Sequence, residues 1–183
     1  MNDQMSEQEA LIFGCINQDN AARKKLYERY APAMLGVCAR YLEDKETVRD
    51  VLHEGFIKVF TKIESYSGAG SFEGWMRRVF VTTALEHLRL SKELRINAID
   101  VSEVENQEDE AATGIVEKLS ADEILRCIDE LPIGFKTVFN LYAIEGYSHS
   151  EIARILNVQE ASSRSQFARA RKLLQVKIRE KYS

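Results

Sequence analysis

The residues from Ser148 to Phe167 carry the densest chemical signal in this chain. Ser148 and Glu151 stand at capping-box spacing, so a helix is predicted to open at Ser148. That helix presents Ile152, Ile155 and Leu156 to a core, and the small Ala153 permits a close helix crossing. Asn157 tolerates the left-handed conformation that ends a helix, and Val158 plugs the corner. A second, long helix is predicted from about Glu160 to Lys181, with Phe167, Ala170 and Leu174 continuing the buried stripe. The pattern is that of a helix-turn-helix. Its exposed second helix is expected to show Ser162, Ser163, Arg164, Ser165 and Gln166 to DNA. Arg164 suits guanine or phosphate, Gln166 suits adenine, and the serines suit phosphate or base edges. Arg169, Arg171, Lys172, Lys177, Arg179 and Lys181 make this end basic. A helix dipole accounts for cations in the last turn only, and so not for Arg164.

Two further groups could do chemistry. Asp50, His53 and Glu54 lie on the polar face of a predicted helix whose other face holds Val48, Val51, Leu52, Phe56, Val59, Phe60 and Ile63. Such a face pairs with cationic groups of a partner protein. Ser65 to Ser71 form the most turn-like stretch, followed by Trp75, Arg77 and Arg78, with Arg89 further on. Small hydrogen-bonding groups, an aromatic ring and cations together suit unpaired nucleic acid. No nucleophile, metal or phosphate-loop pattern appears, which argues against an enzyme, a cofactor or a small-molecule substrate. Cys15, Cys38 and Cys127 stand apart among apolar neighbours and are expected in the core.

The elements that must position these groups are helical. Hydrophobic residues make up 45% of the 183 residues and charged residues 30%, with only 2 prolines and 9 glycines. Long stretches without breakers predict an all-α chain. Helices are expected over Glu7 to Asn17, from Asn20 to about Leu42, from Thr47 past Ile63, and from Phe72 to about Glu93. Pro32 should kink or shift the second. From Asp100 to Glu110 the chain is acidic and loses its periodicity, which reads as a solvated linker. Helical patterning resumes with a capping box at Ser120–Glu123, breaks at Leu131-Pro132, and runs again from about Gly134 to Ile144. The expected division is a helical domain over 1–97, a linker over 98–119 and a helix-turn-helix domain over 120–183. The net charge is −4, which disfavours non-specific coating of nucleic acid. A polar N-terminus without a signal peptide, and no apolar run of ~18 residues, predict a cytoplasmic protein.

The two patterned blocks, Leu26 to Leu94 and Leu131 to Arg179, resemble the two conserved domains of bacterial sigma factors of the extracytoplasmic-function class. The stretch Asp50-Val51-Leu52-His53-Glu54-Gly55-Phe56-Ile57-Lys58-Val59-Phe60 resembles the helix that docks on the clamp helices of the polymerase largest subunit. The resemblance implies that Asp50, His53, Glu54 and Ile57 bind polymerase; glutamine is usual where His53 stands. Tyr66 to Phe80 resembles the segment that captures the melted minus-10 element. The residues implicated are Tyr66, Ser67, Gly68, Ser71, Phe72, Trp75, Arg77 and Arg78, and a usual asparagine is replaced by Thr82. Leu131 to Ala153 and the helix beyond resemble the domain that binds the minus-35 element, implicating Ser148, Ser162, Ser163, Arg164, Ser165, Gln166, Arg169 and Arg171. Ser163 stands where an apolar residue is usual, and Gln166 where arginine is usual. The partners implied are core RNA polymerase (clamp helices and flap region), promoter DNA and an anti-sigma factor.

The reading is therefore a promoter reader without catalysis of its own. A self-sufficient helix-turn-helix regulator would instead bind its operator tightly without polymerase. A helical adaptor that binds only protein would tolerate loss of Arg164 and Arg171.

Overall fold

The computed structural model describes residues 6–91 and 120–182. The expected linker and the end of the fourth predicted helix beyond Ser91 lie outside the described residues. Among those residues every regular element is helical. The chain divides into two compact units, Met1–Ser91 and Lys92–Ser183.

The first unit contains α1 (Glu7–Ile16), α2 (Asn20–Ala39), α3 (Lys45–Lys62) and α4 (Phe72–Leu90), with a 3-10 turn at Ile63–Ser65. Each start has a cap that satisfies otherwise orphaned N–H groups. Ser6 and Glu9 form a capping box on α1. Asp19, rather than the expected Asn20, caps α2 by accepting from the Ala21 amide at 2.8 Å. Asp44 accepts from both the amide (2.7 Å) and the hydroxyl (2.8 Å) of Thr47, so α3 opens two residues earlier than its apolar pattern suggests. Ser71 caps α4 through the Gly74 amide at 3.0 Å. Pro32 lies exposed within α2, and the helix continues to Ala39.

Leu26, Met34, Val37, Cys38 and Tyr41 pack with Val51, Phe56 and Val59 of α3 and Met76, Phe80 and Ala84 of α4 as a buried core. Burial pushes the Cys38 thiol up to about 12, so it behaves as a small apolar group. The α3–α4 crossing is close because Gly55 faces the Phe80 ring. A Cβ added there would stand 2.2 Å from a ring carbon. Gly55→Ala is expected to destabilise this unit by about 1–3 kcal/mol through overpacking. A urea-unfolding midpoint unchanged by the substitution would contradict that packing.

The second unit contains α5 (Ala121–Asp129), α6 (Ile133–Phe139), a π-helical turn (Asn140–Ile144), α7 (His149–Leu156) and α8 (Glu160–Tyr182). The expected capping boxes at Ser120–Glu123 and Ser148–Glu151 are both present. The single helix expected over Gly134 to Ile144 is instead an α-helix that widens into the π turn. Asn157 closes α7 at φ 54°, ψ 50°, the left-handed stop. Cys127, Ile128, Leu174 and Ile178 form a core with Ile124, Leu125, Phe139, Ile144 and Tyr182 packed against it.

Candidate polymerase and nucleic-acid interfaces

The outward face of α3 is set by its core stripe. With Val48, Val51, Leu52, Phe56 and Val59 turned inward, Asp50, His53, Glu54 and Ile57 are left exposed together, at spacings of three and four. Ile57 is 65% exposed, an aliphatic side chain in water one turn beyond His53 and Glu54. Lys58 bridges Glu54 at 2.7 Å and Glu86 of α4 at 2.6 Å. Burial works against its ammonium, but hydrogen bonds to Glu54 and Glu86 outweigh this and raise its pKa above the ordinary lysine value. A partner reaching Glu54 must therefore compete with Lys58.

The loop between α3 and α4 is built on an aromatic base. Tyr66 packs on Phe72 (5.1 Å) and Trp75 (5.8 Å), and Phe72 stacks on Trp75 at 5.5 Å and 21°. The Tyr66 hydroxyl donates to the Gly70 carbonyl at 2.8 Å, pinning the loop across its own turn. Gly68 (φ 77°) and Gly70 (φ 81°) supply left-handed conformations that side chains resist. Ser67, Gly68, Ser71 and Arg78 are exposed, Tyr66, Trp75 and Arg77 partly so.

Phe72 requires a correction. It was expected to meet DNA, yet it is 0% exposed. As the first residue of α4, directly after the cap, it turns into the core and serves as the floor under Tyr66 and Trp75. Thr82 also uses its polar group internally, its hydroxyl donating to the Arg78 carbonyl at 2.8 Å. A cavity of about 820 Å³ opens between the loop (Tyr66, Ser67, Gly68) and α1, where Gln8, Ile12, Phe13 and Ile16 line it. Phe13 is 59% exposed. Sequence reasoning gave α1 no role, since one exposed phenylalanine in a short apolar helix carries no periodic signal.

The helix-turn-helix is formed by α7 and α8. Arg164 and Arg171 are exposed, and Ser162, Ser165 and Arg169 are partly exposed. Arg164 pairs with Glu160 one turn before it. Lys172 is exposed on the same helix. Ser148 is exposed, but its hydroxyl is held by Glu151 at 2.8 Å.

Two residues expected on the exposed face are inside. Ser163 is 0% and Gln166 6% exposed. The reason is the register. Ser163, Gln166, Ala170, Leu174 and Ile178 recur at three and four, so both polar residues belong to the buried stripe. They cannot offer base contacts from there. The basic tail also divides: Lys177 (3.3 Å) and Lys181 (2.8 Å) pair with Glu130 beyond α5 rather than adding to the face of Arg164.

His149 was missed. Its Nδ1 lies 2.9 Å from the Ser163 hydroxyl, and its ring stacks on Tyr142 at 4.3 Å and 12°. Burial first, then the Arg164 charge, lowers its pKa from the ordinary 6.5, against the opposing Glu160 carboxylate. A depressed folded pKa means the unfolded chain binds the proton more readily. Its stabilising contribution is thus full above pH 6.5 and is lost as pH falls through the folded value. Hydrogen-exchange protection of α7 and α8 in the full chain is expected to drop between neutral and mildly acidic pH, and His149→Phe to remove that part of the drop. An equal drop in the variant would exclude His149 as its source.

Two family descriptions match this chain in order. Sigma-70 region 2 matches residues 26–93, and Sigma-70, region 4 matches residues 121–174. Together they cover more than half of the sequence.

The chain belongs to the sigma-70 family.

Relatives that it matches over nearly their whole length include sigma factors of the extracytoplasmic-function class. It is 29% identical over 191 residues to the ECF RNA polymerase sigma-E factor of Haemophilus influenzae, covering 97% of this chain and 98% of that one. It is 28% identical over 189 residues to the sigma-E factor of Escherichia coli K12, covering 97% of each. Two solved structures share the fold. CnrH, in complex with the cytosolic domain of CnrY, superposes with a TM-score of 0.51 at 17% identity, covering 94% of this chain and 97% of that chain. The sigma factor RpoE, in complex with the anti-sigma factor NepR from Bartonella quintana, gives 0.52 at 15% identity, covering 86% and 97%. In this sigma-70 family member, the region 2 match takes in α3 and the aromatic loop, and the region 4 match takes in α7 and most of α8. Sigma factors act in transcription as regulators rather than catalysts. Among the described residues no helix is long and apolar enough to cross a membrane.

Proposed function

We propose that this chain binds core RNA polymerase and directs it to promoters, with no catalysis of its own. In this reading the outward face of α3 docks on the clamp helices through Asp50, His53, Glu54 and Ile57, and the second unit sits near the flap region. The aromatic loop, with Tyr66, Ser67, Gly68, Ser71, Trp75, Arg77 and Arg78, holds the unpaired minus-10 strand. Helix α8 reads the minus-35 duplex through Ser162, Arg164, Ser165, Arg169 and Arg171, with Ser148 at the start of α7 beside it. Residues 98–119 tether the two readers, so that the second DNA contact becomes intramolecular once the first is made. The protein works in the cytoplasm and is restrained by an anti-sigma factor, as is suggested by the RpoE chain of similar fold, solved with the anti-sigma factor NepR.

The observation that carries this reading is the presence of both region matches, in order, on two separate units of one chain. A helix-turn-helix alone supports only DNA binding. The net charge of −4 also makes the free chain a poor ligand for DNA, as a polymerase-dependent reader requires. Gel shifts on genomic promoter fragments, with and without core enzyme, test it. Specific complexes are expected only with core. Tight specific binding by the chain alone would favour a self-sufficient regulator instead.

A further inference from the structure

A buried hydroxyl costs free energy unless it is hydrogen-bonded. Ser163 is fully buried in the first turn of α8, on the stripe that continues through Ala170, Leu174 and Ile178. Its partner comes from the other helix of the motif: His149 Nδ1, in the first turn of α7, at 2.9 Å. An apolar contact would constrain the rotation of the two helices through fit alone. A hydrogen bond has direction, and so fixes it.

The ring that makes this bond is itself held in place. His149 stacks face to face on Tyr142 at 4.3 Å and meets the edge of Phe167 at 5.8 Å and 61°. Phe167 packs on Tyr142 at 4.5 Å and on Phe139 at 5.7 Å. The α7 backbone below the ring is fixed by the Ser148–Glu151 capping box. The charged groups that act on His149 are Arg164 and Glu160 of α8, and the titratable group stacked on it is Tyr142 from the π turn. Ser162 and Arg164 flank Ser163 in sequence. Successive helical residues are about 100° apart, so a fixed Ser163 fixes the directions in which its neighbours leave the helix.

We propose that His149 is a positioning residue for DNA reading: by holding the Ser163 hydroxyl it sets the rotation of the first turn of α8, and thereby the base preference of Ser162, Arg164 and Ser165. This rests on the reading that the second unit binds the minus-35 duplex.

The test uses holoenzyme assembled from core polymerase and the full chain. Promoter duplexes with single-base changes across the minus-35 element compete for wild type, His149→Phe, Ser163→Ala and the double variant. Each single variant is expected to relax discrimination about fivefold at the base pairs nearest the first turn, the scale of one hydrogen bond. The salt dependence, which reports phosphate contacts, is expected to stay unchanged. Once Ser163 is gone, His149 has nothing to hold, so the double variant should match either single one. Ser163→Ala introduces no bulk, and so keeps the test open if His149→Phe folds poorly. Unchanged discrimination in Ser163→Ala, a uniform loss across all duplexes, or additive effects in the double variant would overturn the proposal. A wild-type holoenzyme indifferent to every minus-35 change would instead sink the reading on which it rests.

Discussion

Asp50→Arg combined with Ile57→Glu is expected to abolish assembly with core polymerase. Both side chains are exposed on the outward face of α3, outside its buried stripe. Surface substitutions of this kind usually change stability by less than about 0.5 kcal/mol. At an interface the same changes act differently. Ile57 offers an exposed aliphatic side chain next to His53 and Glu54, an apolar anchor with polar neighbours. Replacing it with a carboxylate buries an unpaired charge, and reversing Asp50 sets like charges against a basic partner. The combined loss is about 2–4 kcal/mol or more, roughly 30- to 1,000-fold in affinity. Competition between tagged wild-type and variant chains for limiting core enzyme measures it, with helical content checked by circular dichroism. Equal competition would remove α3 from the docking surface.

Arg164→Ala is expected to lower minus-35-dependent transcription by about 5- to 150-fold, the worth of one good bidentate base contact at about 1–3 kcal/mol. In the free chain Arg164 pairs with Glu160 at an exposed i,i+4 position. Such a pair contributes only about 0.3–0.5 kcal/mol, so exchanging it for a base or phosphate costs little. Protein stability should hardly change. Gln166→Ala supplies the contrast. Gln166 is buried, so its loss should lower the melting temperature and leave base discrimination as it was. The two variants are compared on promoters with intact and scrambled minus-35 elements. A large specificity change in Gln166→Ala, or none in Arg164→Ala, would mean that α8 presents another face to DNA.

That contrast also marks what the sequence could reveal. Helix starts were legible where a capping residue and its partner stand three apart, as at Ser120–Glu123 and Ser148–Glu151, because the cap is local chemistry. Asn157 was legible as the stop of α7 for the same reason. The order of two helical blocks was legible from their apolar periodicity, and it carried the family resemblance.

The inward turn of Ser163 and Gln166 was hidden by their residue types. Polar side chains suggest an exposed face, whereas their spacing to Ala170, Leu174 and Ile178 places them on the buried one. The spacing was available and outweighs the chemistry here, since a helix has one inward direction. Phe72 was misplaced similarly. The resemblance of Tyr66 to Phe80 to a DNA-capturing segment implied contact, but a large aromatic immediately after an N-cap anchors the helix to the core. His149 could not be found at all, because its partners Tyr142, Ser163 and Phe167 come from other elements of the fold.

The central claim is that this chain gives promoter specificity to a polymerase that lacks it. Run-off transcription with purified core enzyme, a library of genomic fragments and the full-length chain tests this most directly. The account predicts discrete transcripts that appear only when the chain is added and start a fixed distance downstream of shared minus-35 and minus-10 elements. They should disappear with the α3 double variant and weaken with Arg164→Ala. Absence of any chain-dependent transcript across the library, despite stable binding to core, would contradict it.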